Sequence, residues 1–206
     1  MDSQTVDYYS QNAGAVADRY ESTVSGLASY FQQAFPSKAR VLDVGCGSGR
    51  DMAYLQTLGR EVFGLDATAK LVELAQVLHP ELKGKIVQGS LPGSAIPFGG
   101  CFDGVLCSAV LMHINLELQP SAVKFLKSCL KLGGNLLYSV PSKRLDVSVA
   151  SQRDNTGRLF IPDTAGYLHQ LFEDQGFFLI QRWADTDSLG RDDVEWKSAL
   201  MRLDRS

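Results

Sequence analysis

In the stretch VLDVGCGSGRD, Val41 to Asp51, an acid in an apolar run is followed by glycines on alternate positions, Gly45, Gly47 and Gly49. The run reads as a strand, and a carboxylate at Asp43 inside it is costly to bury unless something pairs with it. A structural turn needs one or two glycines. An acid followed by three suggests a backbone that passes close to a ligand while the next helix turns its N-terminus toward it. A second acid, Asp66, closes VFGLD. At a strand tip an ionised carboxylate can accept two hydroxyl groups, although such an acid on its own equally suits a solvated loop. His113 titrates near neutrality and is a candidate general base; the alternative is a histidine that caps a helix or bonds to backbone. Tyr8, Tyr9 and Tyr20 recur at nearly helical spacing. They either seal a helix onto the body or line a cavity with apolar rings and polar tips.

The elements that must position these residues alternate. RVLDVG, EVFGLD, KIVQG, FDGVLCSAV and NLLYSV read as strands one to five. Between them lie helical patterns: Met52, Leu55 and Leu58, stopping at Gly59; Leu71, Leu74, Ala75 and Leu78, closed by Pro80; and Ala122, Phe125, Leu126 and Cys129, ended by Gly133-Gly134. Strand-helix alternation with short connections implies a parallel sheet covered on both faces. Residues 1–35 read as helical. PSKRLDVSVASQRDNTGRLFIPD is too long and aperiodic for a simple connector. A helix near Thr164 to Asp174 and two strands, FFLIQRW and EWKSALMRL, follow. With no repeat or linker, 1–206 reads as a single domain: a helical lid (1–35), a ligand-binding core (36–140), and a late loop, helix and strand hairpin (141–206).

Composition restricts the partners. The 206 residues are 45% apolar and 21% charged with net charge −3, the profile of a globular protein without a global basic field. Nucleic acid is therefore not an expected partner. No apolar run reaches membrane-helix length and the N-terminus lacks a signal-peptide layout, so a cytoplasmic location is expected. The cysteines at 46, 101, 107 and 129 show no C-x-x-C or zinc spacing. They read as reduced thiols, and no metal is expected. A dinucleotide fingerprint would need glycine at position 50, where Arg50 stands.

The spacing D-x-G-x-G-x-G instead resembles motif I of class I S-adenosylmethionine-dependent methyltransferases. VQGSLPGSAIPF, FDGVLCSAVLMHI and LKLGG resemble the family's adenine-side segment, its fourth strand and loop, and its LKPGG. YYSQNAGAVADRYES resembles the N-terminal lid of small bacterial members, and DSLGRDDVEW the tail of a poorly characterised subset. The resemblance implies a Rossmann-like fold: a seven-stranded mixed sheet with an antiparallel last strand, helices on both faces and a helical lid. It implies S-adenosylmethionine as cofactor and S-adenosylhomocysteine as product. By resemblance, Asp43 lies near the cofactor's ammonium, and Gly45, Cys46, Gly47, Ser48, Gly49 and Asp51 belong to the glycine loop. Asp66 with Ala67 serves the ribose. Ser90 and Leu91 serve the adenine, although Ser90 stands where the family often has Asp or Asn. Ser108 and Met112 border the reacting centre. Arg19 is a candidate for the cofactor's carboxylate, or a solvated arginine.

The expected function is in-line methyl transfer to a small molecule, with His113 and Tyr9 as catalytic candidates. Tyr20, Asn12, Arg144 and Arg158 are the candidates for the acceptor pocket. A monomer or homodimer would suffice. Two alternatives stay open. One is methylation of RNA or protein, for which Arg144, Arg153, Arg158 and Arg191 could contact phosphates, although they lie among Asp146, Asp154, Asp192 and Asp193. The other is a non-catalytic cofactor-binding module acting through a partner. No NPPY-type tetrapeptide follows the fourth strand, where CSAV stands.

Overall fold

The chain alternates short apolar strands with amphipathic helices, and the order of these elements dictates a wound sheet. In this computed structural model residues 1–161 and 164–205 are described. The chain begins with α1 (Ser3–Gln11), α2 (Ala13–Glu21) and α3 (Phe31–Ala34). It continues through β1 (Arg40–Val44), α4 (Arg50–Thr57), β2 (Glu61–Asp66), α5 (Ala69–Leu78) and β3 (Ile86–Gln88). Then come β4 (Phe102–Ser108), α6 (Gln119–Cys129), β5 (Leu130–Arg144), α7 (Ala165–Asp174), β6 (Phe177–Thr186) and β7 (Val194–Leu203). The seven strands lie in the order β3-β2-β1-β4-β5-β7-β6. Strands β1 to β5 pair parallel, and β7 runs antiparallel to both β5 and β6.

The pleat sends alternate side chains to opposite faces. Leu42, Val105, Leu136, Tyr138 and Met201 join one core, closed by Ala122 and Leu126 of α6 and Phe172 of α7. Val41, Leu106, Leu137 and Leu200 join the other, under Phe31, Phe35, Met52 and Leu55. Strands buried on both sides read as continuous apolar runs, which makes Asp43 conspicuous. Strand order reverses between β1 and β4, and a sheet wound in this way leaves a crevice at the carboxyl ends of those strands. Above it, α1 and α2 rest on α5 through Ala13, Val16 and Leu71, with Tyr8, Tyr9 and Tyr20 packed around them.

Three sequence expectations change in detail. Leu78 is 42% exposed, and α5 buries Leu71, Val72 and Ala75 instead. Helix α6 ends at Cys129 and passes directly into β5, so Gly133 and Gly134 sit inside the strand assignment, at the register break opposite Phe102 and Gly104. A side chain at Gly134 would meet the Lys131 and Phe102 carbonyls at 2.9 and 3.1 Å. The late segment is also less irregular than its sequence suggests. Strand β5 extends to Arg144, and the bridges Val147–Asp154 and Arg153–Leu159 fold the following loop on itself. The last two residues of that stretch, Pro162 and Asp163, lie outside the described residues, as does Ser206. Among the described residues, no helix is long and apolar enough to cross a membrane.

Candidate active site

The glycine loop folds back over the tip of β2, because the N–H groups of Gly45 and Cys46 both donate to the Leu65 carbonyl, at 2.6 and 3.2 Å. Gly45 and Gly47 have φ of 79° and 55°, a region that disfavours side chains. A Cβ at Gly45 would run into Val110, and one at Gly47 would meet the Tyr20 ring at 3.2 Å. The bare backbone thus permits two close approaches, one to the loop after β4 and one to the lid.

The two acids beside this loop have different surroundings. Asp66 is fixed: Oδ2 accepts from the Gly47 N–H at 2.9 Å and Oδ1 from the Thr68 N–H at 2.8 Å. Burial raises its pKa against the pull of those bonds, and each oxygen retains a lone pair for a further donor. Asp43 is 4% exposed, and among the described residues no side-chain hydrogen bond holds its carboxylate. Burial pushes its pKa well above the usual range; Asp51 adds to the rise and Arg50 opposes it. Arg50, in the position that excluded a dinucleotide fingerprint, is a strap. Its Nε donates to Asp51 at 2.9 Å, and its Nη1 donates to the Tyr20 and Thr23 carbonyls at 3.2 and 3.1 Å.

A cavity of about 220 Å³ runs from this cradle into a second half beneath the lid. There the turn Leu111–His113 holds His113, 3% exposed. Its Nδ1 lies 2.5 Å from the Leu159 carbonyl. A carbonyl only accepts, so Nδ1 carries the proton and Nε2 presents its lone pair, 3.4 Å from the Tyr9 hydroxyl. Burial lowers the His113 pKa to about 4; Arg158 and Arg144 push the same way, and the bond to Leu159 opposes them. The backbone-bonded alternative for His113 is thus realised at Nδ1, while Nε2 lies against the Tyr9 hydroxyl. The Tyr9 hydroxyl also lies 3.4 Å from Arg158 Nη1 and beside the Tyr20 hydroxyl.

Ion pairs brace this half. Arg153 Nη1 and Nη2 donate to Asp2 at 2.9 and 2.8 Å, tying the start of α1 to the late loop. Arg158 is bound to the nearly buried Asp154, and Arg144 to Asp146. Arg191 donates to Asp187 through Nε and Nη2 at 2.9 and 2.7 Å. Burial alone would raise the Asp187 pKa, but the bonds from Arg191 and Trp196 outweigh it and leave about 2. Two pairings differ from the sequence neighbourhood: Arg153 takes Asp2, and Arg191 takes Asp187 rather than Asp192 or Asp193.

Most sequence candidates border this one cavity. On the cradle side they are Arg19, Asp43, Gly45, Cys46, Gly47, Ser48, Asp51, Asp66, Ala67 and Leu91. On the other side they are Tyr9, Tyr20, Ser108, Met112, His113, Arg144 and Arg158. Three do not border it. Gly49 is the N-cap of α4 with φ 86°, turned toward Leu82 and His79, and serves the corner. Ser90 is exposed, while its neighbours Gly89 and Leu91 reach the cavity. Asn12 is exposed at the junction of α1 and α2 with its amide on the Tyr8 carbonyl at 2.8 Å. The sequence reading missed Thr5, Phe160, Asp187 and Trp196, which also line it. Asp187 and Trp196 are the first and last residues of the DSLGRDDVEW segment, but nothing in that segment alone placed them at this cavity.

Residues 16–202 match the sequence model of a family described as "Methyltransferase domain". The chain belongs to this family. An uncharacterized methyltransferase of Alkaliphilus oremlandii is 27% identical over 124 residues, 60% of this chain and 55% of that protein. The mitochondrial ubiquinone biosynthesis O-methyltransferase of Schizosaccharomyces pombe is 35% identical over 115 residues, 53% of this chain and 40% of its own length. The methyltransferase domain thus spans about half the length of these curated relatives. Its fold is similar to the crystal structure of Burkholderia thailandensis 1,6-didemethyltoxoflavin-N1-methyltransferase, with TM-score 0.74, 19% identity, and 98% and 88% of the two chains covered. That structure contains 1,6-didemethyltoxoflavin and S-adenosylhomocysteine.

The expected class I fold is thereby established, with the strand order observed here. The cradle of this methyltransferase domain fits the family's cofactor, S-adenosylmethionine. A buried, unpartnered carboxylate at Asp43 suits an ammonium, and the spare lone pairs on Asp66 suit a ribose diol. Among the described residues there is no cluster of three or more His, Cys, Asp or Glu that could hold a metal.

Proposed function

We propose that this protein methylates a hydroxyl group of a small molecule with S-adenosylmethionine. The observation that carries this reading is a single cavity with Asp43 and Asp66 at one end and the lone pair of His113 Nε2 at the other. Asp43 holds the cofactor's ammonium, Asp66 its ribose, and the backbone of Gly45 to Gly47 lies against its methionine portion. Gly89 and Leu91 take the adenine side. Arg19, whose side chain makes no hydrogen bond among the described residues, takes the carboxylate. When bound, the cofactor supplies a methyl group already activated by its sulfonium.

The chain's own residues provide position, enclosure and a proton acceptor. Orientation at near-attack geometry contributes on the order of 7–11 kcal/mol in such transfers. Helices α1 and α2 exclude water by closing over the cavity, held by Arg50 and by the Asp2–Arg153 pair. The acceptor's proton passes to His113 Nε2, directly or through the Tyr9 hydroxyl that lies against it. The name of the Schizosaccharomyces pombe relative supports oxygen as the methylated atom. The enclosure of Arg144 and Arg158, with side chains only 5% and 14% exposed, supports a small molecule over RNA.

The test uses S-adenosylmethionine with a labelled methyl group and a cell extract separated into small-molecule and macromolecular fractions. Label in the small-molecule fraction is expected. Label confined to RNA or protein would overturn the reading, and binding of cofactor with no transfer to any fraction would favour a non-catalytic module.

A further inference from the structure

Two guanidiniums converge on one ring in the acceptor half. Arg144 lies 4.0 Å and Arg158 5.2 Å from the centroid of the Phe160 ring. Their side chains are only 5% and 14% exposed, and both border the cavity. Each fork is half used. Arg144 donates to Asp146 through Nε and Nη2, at 2.7 and 2.5 Å. Arg158 donates to Asp154 Oδ2 through the same two nitrogens, at 2.9 and 2.6 Å. That leaves Nη1 of each. Among the described residues Arg144 Nη1 makes no hydrogen bond, and Arg158 Nη1 has only the 3.4 Å approach to Tyr9.

The counter-charges are unequal. The Asp154 side chain is 1% exposed and fully engaged, since its Oδ1 also accepts from Thr156 and from the Arg158 N–H. Asp146 is 36% exposed, so water screens its charge and it neutralises Arg144 incompletely. Of the other titratable groups that line the cavity here, Asp187 is neutralised by Arg191, which also acts on Asp146. His113, its ring 4.7 Å from Phe160, is held neutral, with Arg144 and Arg158 both contributing to that. The local field beside Phe160 is therefore positive, within aromatic walls supplied by Tyr9, Tyr20 and Phe160. Unused N–H groups of two guanidiniums in such a place suit a carboxylate, which accepts along their planar forks.

We propose that the acceptor is a small aromatic hydroxy acid whose carboxylate docks on Arg144 and Arg158 while its hydroxyl faces Tyr9 and His113. This rests on the methyl-transfer reading and adds the class of substrate. Because Arg158 reaches the same Tyr9 hydroxyl that faces His113, the carboxylate and the reacting oxygen lie a few atoms apart. Arg144 acts as a specificity residue, and Asp146 and Asp154 position the two forks.

The test begins with calorimetry of S-adenosylhomocysteine on the whole protein. Failure there would overturn the methyl-transfer reading itself, before any acceptor is added. The protein loaded with S-adenosylhomocysteine is then titrated with 2-hydroxybenzoate, 4-hydroxybenzoate and 3,4-dihydroxybenzoate, each against its carboxamide. At least one acid is expected to bind on the order of 10-fold more tightly than its amide, the scale of a charge-assisted hydrogen bond. R144Q should lower that ratio several-fold with cofactor affinity unchanged, Arg158 retaining the remainder, and R144K should restore part of it. A merely structural arginine would alter stability without moving the acid-to-amide ratio. Equal binding of acids and amides by the wild-type protein, which needs no variant to fold, would overturn the proposal. So would failure of every acid to bind the loaded protein.

Discussion

The two halves of the cavity are built in opposite ways. The half proposed for the cofactor comes from consecutive strands, Asp43 near the end of β1, Asp66 at the end of β2, Leu91 after β3, and it offers a buried carboxylate with no hydrogen-bond partner among the described residues. The half proposed for the acceptor is assembled from segments as distant as Asp2, His113, Arg158 and Arg191, and its charges are cross-braced. One half is the carboxyl edge of a parallel sheet and carries the buried acids Asp43 and Asp66. The other is a set of ion pairs that bring lid, turn and late loop to one place. On the proposed reading, the methyl donor occupies the first construction and the acceptor the second.

If the acceptor half holds the proton acceptor, His113→Asn should lower turnover by about 10²–10⁴-fold, the usual contribution of a general base, while leaving S-adenosylhomocysteine affinity nearly unchanged. Steady-state kinetics beside calorimetry will check this, and parallel losses in both would erase the distinction between the halves. On the cofactor side, Gly47→Val should weaken binding by at least about 100-fold, because a branched residue opposes φ 55° and strikes the Tyr20 ring. Circular dichroism should show the sheet intact; unfolding in step with the loss of ligand would make this glycine structural.

Burial of neutral His113 also predicts a stability profile. With a folded pKa near 4 against 6.5 unfolded, the unfolded chain binds more protons in that interval. Stability should therefore fall as pH drops from 6.5 toward 4, by up to roughly 3 kcal/mol from this group. Denaturant titrations across that range should show a flatter profile for His113→Asn. Asp66→Ala should cost about 1.5–3 kcal/mol of cofactor affinity, the range for hydrogen bonds to a charged group. Calorimetry with undiminished affinity would remove Asp66 from the ligand.

The smallest effect concerns Asp43. Its pKa is raised in the free protein, and a bound ammonium favours the ionised form. Binding of S-adenosylmethionine should release a fraction of a proton, measurable as a buffer-dependent enthalpy, and Asp43→Asn should abolish that release. Proton uptake instead would place the ammonium elsewhere.

The sequence by itself determined the parallel sheet, the glycine loop and the acids at the tips of β1 and β2. Those features follow from local pattern: apolar runs, positive-φ turns and an acid where burial demands a partner. It also brought forward His113, Tyr9 and Arg158, but without their relation to one another. Only the tertiary structure decided that Leu159 fixes the tautomer of His113, that Asp2 rather than a nearby acid takes Arg153, and that Asp187 of the β6–β7 turn lines the cavity. It likewise turned Asn12 and Ser90 outward and put Gly49 at a corner. Side-chain pairing across the chain depends on which segments the sheet brings together, and charges in a late loop carry no mark of their partners until that loop folds back over the crevice.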